Sequence, residues 1–151
     1  MAAGAWTLFN KGELKLAQAS IDLDTHAFKL ALCGSTQALD RTFVGTSTDC
    51  RYSDLTNELS TANGYTVGGL PLSSISLSQA ANVVIWLAAD GSWTLTGSLV
   101  FKYGVIYDDT NANKDLLCFF DANTASGSST VTASASPLLI PLSSGIFAIT
   151  S

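Results

Sequence analysis

The chain has 151 residues, 47% of them apolar, which is one domain's worth of sequence and enough to bury a real core. Only 13% are Asp, Glu, Lys or Arg, against roughly 25% in ordinary soluble domains, so the polar surface falls largely to Ser and Thr. A net charge of −5, a pI near 4.4 and basic residues scattered as at Lys11, Lys15, Arg41 and Lys114 exclude a direct grip on nucleic acid, which needs clustered cations.

The opening MAAGAWTLFNKGELK lacks a basic stretch followed by a long apolar one, so synthesis in the cytoplasm without a secretion signal is expected. The longest apolar run, Val83 to Ala89, is far short of a membrane span. Asn10 followed by Glu13 resembles a capping box and predicts a short helix through about Gln18. Phe9, Leu16 and Ala17 would share its buried face, and Gly12 would cost it about 1 kcal/mol relative to Ala. Ala27 to Cys33 reads as a strand ending at Gly34-Ser35, and the polar stretch from Ser35 to Tyr52 as an extended surface loop. Tyr52 to Leu59 fits a strand or a helical turn equally.

Asn63-Gly64 marks a turn. Gly68-Gly69, between Tyr65-Thr66-Val67 and Leu70-Pro71-Leu72, suggests a bent or bulged strand. Ser74 to Ser78 alternates, which predicts a half-buried strand with one wet face. Val83 to Leu87 and Trp93 to Thr96 predict a hairpin about Asp90-Gly91, with Trp86 and Trp93 near each other across it. Leu99 to Tyr107 reads as a long central strand, followed by a loop from Asp108 to Lys114 and a strand from Leu116 to Phe120. Asn123 to Ser129 is a turn or loop, Thr130 to Ala135 alternates weakly, and Ile146 to Thr150 is a last strand. Pro137 and Pro141 confine Leu138-Leu139-Ile140 to an edge strand or a β-like arm. About eight short strands in a single domain, residues 1–151, predict an all-β fold: an antiparallel β-sandwich, with the jelly roll favoured, carrying a short N-terminal helix or arm.

Little in the chain carries chemistry. His26 follows Asp24, which could orient it as a general base, but no nucleophile elbow of the form GxSxG occurs, and a turn with local Asx bonds is the preferred reading. Asp109-Thr110-Asn111-Ala112-Asn113 matches the opening of a calcium loop, then fails where Lys114 and Phe120 replace its Gly and Glu. Gly64, Gly68 and Gly69 match no phosphate-binding pattern. Cys33, Cys50 and Cys118 are widely spaced and read as reduced, buried residues. No catalytic, cofactor-binding or metal-ligating residue is expected, and the chain is not expected to be an enzyme.

Gly12-Glu13-Leu14-Lys15 through Ile21-Asp22-Leu23-Asp24, then Phe28-Lys29-Leu30-Ala31-Leu32, form an ordered series with three later pieces. These are Gly64-Tyr65-Thr66-Val67-Gly68-Gly69, Lys102 through Thr110, and Ile146-Phe147-Ala148-Ile149-Thr150. The series resembles a group of small tailed-bacteriophage virion structural proteins. The resemblance implies a component of the virion, made in the host cytoplasm: a head decoration (cement) protein that bridges major capsid subunits on the outside of the shell. Its partners would be the major capsid protein and copies of itself in a homotrimer, with no nucleic acid, membrane or cofactor. A tail or neck component is the alternative within that class. A carbohydrate-binding β-sandwich with Trp86, Trp93 and Tyr107 in its site is the alternative outside it.

Two segments are expected at an interface. One is an arm within residues 1–9 carrying Trp6, Leu8 and Phe9, and the other is Pro137, Leu138, Leu139 and Ile140, because apolar anchors carry most interface energy. The competing expectation for both is docking on the protein's own core.

Overall fold

The structure, a computed structural model, describes residues 5–123 and 130–150. Its elements begin with β1 (Thr7–Leu8), α1 (Asn10–Ala17), β2 (Phe28–Cys33), β3 (Leu70–Pro71), β4 (Ser76–Ala80) and β5 (Val83–Leu87). There follow β6 (Gly91–Trp93), β7 (Leu99–Phe101), β8 (Tyr103–Asp108), β9 (Leu116–Asp121), β10 (Val131–Ala133), β11 (Leu138–Ile140) and β12 (Phe147–Thr150). The fold is all-β and antiparallel, as expected.

A five-stranded sheet of order β1-β9-β8-β2-β3 forms the middle layer. Its inner strands are apolar on both faces because both faces are covered. Phe28, Leu30, Leu32, Ile106 and Phe120 lie on one face, and Ala31, Cys33, Val105, Tyr107 and Phe119 on the other. The predicted strand from Leu99 to Tyr107 is broken at Lys102, whose N–H donates to Cys33 O at 2.8 Å. The break frees β7 to pair with β10 while β8 stays central with all six residues buried.

Three small sheets, β10-β7, β11-β6 and β12-β5-β4, cover the first face. They supply Trp86, Trp93, Phe101, Leu138 and Ile140 to one core. The second face is covered by residues 34–57, through Leu39, Cys50, Phe43, Tyr52 and Leu55. The predicted surface loop is therefore a packed layer, and Tyr52–Asp54 within it is a 3-10 turn. A layer without strand pairing needs other partners for its backbone. Asp54, 4% exposed, accepts the N–H groups of Ser47 and Arg51 at 2.8 Å each and the Ser47 hydroxyl at 2.5 Å.

Burial alone would push the Asp54 carboxyl up, but the bonds from Ser47, Arg51 and Thr46 win and hold it below its ordinary value of 3.8. A depressed carboxylate stabilises the fold fully above its unfolded pKa, and that contribution disappears as pH falls through the folded value. Asp54→Asn is expected to cost about 1–3 kcal/mol at neutral pH and clearly less at about pH 3, as read from urea unfolding at both. An equal cost at both would contradict this.

Several local expectations are corrected. Helix α1 has its predicted span, but Phe9 is its N-cap and no side chain caps it, so the Asn10–Glu13 capping box does not form. Its buried residues are Gly12 and Lys15 rather than Leu16 and Ala17. A β-carbon on Gly12 would run into the backbone carbonyls of Leu116 and Leu117, so this glycine lets the helix lie on β9.

Strand β4 is exposed at all five positions instead of alternating. The hairpin partner of β5 is β4, turning at Ala81-Asn82 where Ala81 has φ 51°. Trp93 pairs instead with Leu138 on β11. Asp90, taken for a turn residue, accepts the N–H groups of Leu142 and Ser143 at 2.8 and 2.9 Å. Trp86 and Trp93 are thus not cross-strand neighbours: Trp86 packs on Phe28 and Phe147, and Trp93 faces Tyr65. The Asn63-Gly64 turn is present, bridging Ala62 to Tyr65, but of the predicted bent strand only Leu70–Pro71 forms a strand, after positive φ at Gly68 and Gly69. Of the loop from Asn123 to Ser129, residues 124–129 lie outside the described residues.

Candidate functional site

The polar clusters are explained by the fold. His26 Nδ1 lies 2.6 Å from Asp108 Oδ2, not beside Asp24, and Asp108 is wholly buried. Asp22 accepts the Thr25 hydroxyl and the N–H groups of Asp24 and Thr25, which hold its carboxyl below the usual range. That is the local Asx bonding expected of a turn. In the calcium-like loop, Lys114 places its ammonium on Asp109, and Lys29 reaches the other oxygen at 3.0 Å. The charge a cation would supply already comes from lysine. Among the described residues no group of three or more His, Cys, Asp or Glu is placed to hold a metal ion. All three cysteines are buried and unpaired, and burial pushes the Cys50 thiol up to about 12. Glu58 accepts the hydroxyls of Tyr52 and Tyr65 and the Gly68 N–H, tying the segment after the 3-10 turn to β2 and β8.

The expected arm is docked from Trp6 onward. Thr7 and Leu8 pair with Phe119 and Cys118, Trp6 meets Phe120 edge-on at 4.8 Å, and Phe9 is fully buried. Residues 1–4 lie outside the described residues. In the second segment, Leu138 and Ile140 point into the core opposite Trp93 and Gly91, whereas Pro137 is exposed and Leu139 is 50% exposed. Of the seven residues singled out, Pro137 and Leu139 offer the most surface, Trp6 and Leu8 are half-buried, and Phe9, Leu138 and Ile140 offer almost none.

Leu139 and Pro137 border an open groove of about 380 Å³ between β10 and β11, lined also by Val131 and Ala133. The groove belongs to a larger surface that the strand-by-strand reading missed. Of seven basic and twelve acidic residues, only Asp90 falls in 59–101, and none follows Asp121. Those two stretches build the layer of small sheets, because β10 pairs with β7, β11 with β6 and β12 with β5. The fold thus gathers into one layer two stretches of sequence whose single charge is Asp90, and the other charged residues all lie outside those stretches. The signal was in the sequence as a gap in charge, but only the strand pairing shows that the two gaps coincide in space.

The same layer holds most of the exposed large apolar side chains. Leu77, Val100, Leu139 and Ile149 belong to it, while Leu14 lies on α1 and Val67 in the turn before β3. Such a surface offers hydroxyls, open strand edges and aliphatic side chains, which suit a protein face of equally low charge. The aromatics of the carbohydrate reading are not on it: Trp86 and Tyr107 are 1% exposed and Trp93 5%. No helix among the described residues is long and apolar enough to cross a membrane. No protein-family model, curated protein or solved structure matches the chain.

Proposed function

We propose that this chain is a structural component of a tailed-bacteriophage virion, a head decoration protein that bridges major capsid subunits and also contacts copies of itself. The observation that carries the reading is the uncharged layer of small sheets with its exposed Val100, Leu139, Leu77 and Ile149. A lone domain gains solubility from dispersed surface charge, and a layer without it is a liability unless another protein covers it. The ordered resemblance to phage virion proteins supplies the class of partner. The reading asks for no chemistry at a reactive group, and His26, Asp108, Lys15 and Glu58 all have structural partners.

Co-sedimentation with expanded heads assembled from the major capsid protein of the same phage tests this. The protein is expected to pellet with the heads and to saturate at a fixed ratio to capsid subunits. Pelleting no greater with heads than without them would overturn the reading.

A further inference from the structure

Strand β4 is an open edge built without the usual protections. Among the described residues it pairs with β5 alone, residue for residue from Ser76 opposite Leu87 to Ala80 opposite Val83, with no bulge. All five of its residues are exposed, and none is Lys, Pro or charged. Natural edge strands are normally blunted by those devices, because unpaired N–H and C=O groups recruit further strands. The sheet behind it is uncharged throughout, across β4, β5 and β12. Leu77, 43% exposed, shares the face of Trp86 and Phe147, and Gln79 that of Val84 and Ile149.

We propose that β4 pairs antiparallel with β4 of a second copy across a twofold axis at Ser78, joining two β12-β5-β4 sheets into one of six strands. The inference rests on the reading that the chain assembles through its uncharged layer, and it names where two copies meet. Charge selects the occupant. Eleven of the twelve acidic residues lie outside this layer together with all seven basic ones, so each copy carries all but one of its five net negative charges outside it. Two copies meeting edge to edge keep those charges apart, whereas most other mutual orientations bring like charges together. An isologous antiparallel contact places Ser78 opposite Ser78, Ser76 opposite Ala80 and Leu77 opposite Gln79. Ser76, Ser78 and Ala80 then share one face, and all three are small. One strand pair buries less than the roughly 1,000 Å² of a stable interface, so the dimer is weak in dilute solution and is best trapped covalently.

Disulfide trapping of the full chain under mild oxidation is the test. Directly opposite residues of an antiparallel pair have Cα atoms within disulfide range. The native cysteines are all buried and stay silent. Ser78→Cys is expected to form a linked dimer several-fold faster than Ala112→Cys, an exposed position on the charged side. A mixture of Ser76→Cys and Ala80→Cys is expected to form the heterodimer faster than either forms a homodimer. Trapping of Ser78→Cys no faster than the Ala112→Cys control, or of Ser76→Cys alone as fast as the mixture, would overturn the pairing. Failure here with head binding intact removes the twofold contact and leaves decoration standing; trapping with no head binding does the reverse.

Discussion

Replacing Lys15 by Ala is expected to lower the unfolding free energy by about 3–5 kcal/mol, the range for breaking one side of a buried ion pair. Lys15 Nζ lies 2.5 Å from Asp115 Oδ1, with side chains only 9% and 3% exposed. It also donates to the Asp49 carbonyl at 2.7 Å and has the Asp49 carboxylate at 3.5 Å. One ammonium therefore joins α1, the 34–57 layer and the strand-bridge residue before β9. Without it, Asp115 keeps only the Asn111 amide at 2.8 Å as a side-chain partner, while its charge remains buried. Gly12, one turn earlier, lets the helix sit low enough for Lys15 to reach this place. Urea unfolding of Lys15→Ala, Asp115→Leu and the double variant should show the double losing clearly less than the summed singles. A loss under about 1 kcal/mol for Lys15→Ala would mean that solvent reaches the pair.

Trp86→Ala is expected to cost a similar 3–5 kcal/mol, by lost burial and an unfilled cavity. Trp86 is 1% exposed, packs edge-on to Phe28 of β2 at 5.0 Å and lies 5.4 Å from Phe147 of β12. Its indole N–H donates to the Leu23 carbonyl at 3.2 Å. It ties the β12-β5-β4 sheet to the central sheet, so the loss should be felt first in β4, β5 and β12. Amide hydrogen exchange should accelerate there more than in β2 and β8. Trp86→Phe, which keeps one aromatic ring but loses the rest of the indole and its N–H, should cost noticeably less. Equal costs for the two variants would contradict packing as the main term.

Strand existence was legible where one physical signal dominates. The two-sided apolar runs Phe28 to Cys33 and Leu116 to Phe120 are inner strands because nothing else could bury both of their faces. Partner choice was not legible. Alternation around Asp90-Gly91 looked like a hairpin, yet Asp90 serves the backbone of Leu142 and Ser143, more than fifty residues on. Polarity misled twice. Residues 35–52 read as surface, but buried hydrogen bonds to Asp54 let a polar segment cover a sheet face. Ser74 to Ser78 read as half-buried, yet only Ile75 packs against the core, because alternation reports which residues share a face and not whether anything covers it.

The candidate surface was half legible. Pro137 to Ile140 was singled out for its flanking prolines, and its outward Leu139 does border the groove. Trp6 and Phe9 were singled out for size, and size is equally what the core selects.

The central claim, that the uncharged layer is the assembly surface, is tested most directly by moving one charge about the molecule. Leu139 and Leu14 are exposed to nearly the same degree, 50% and 47%, the first in the uncharged layer and the second on the charged side. Leu139→Lys and Leu14→Lys should each change stability by no more than about 0.5 kcal/mol. In co-sedimentation with expanded heads, Leu139→Lys is expected to bind at least about tenfold more weakly than the native protein, and Leu14→Lys as tightly as it. Undiminished binding by Leu139→Lys, or an equal loss from Leu14→Lys, would contradict the account.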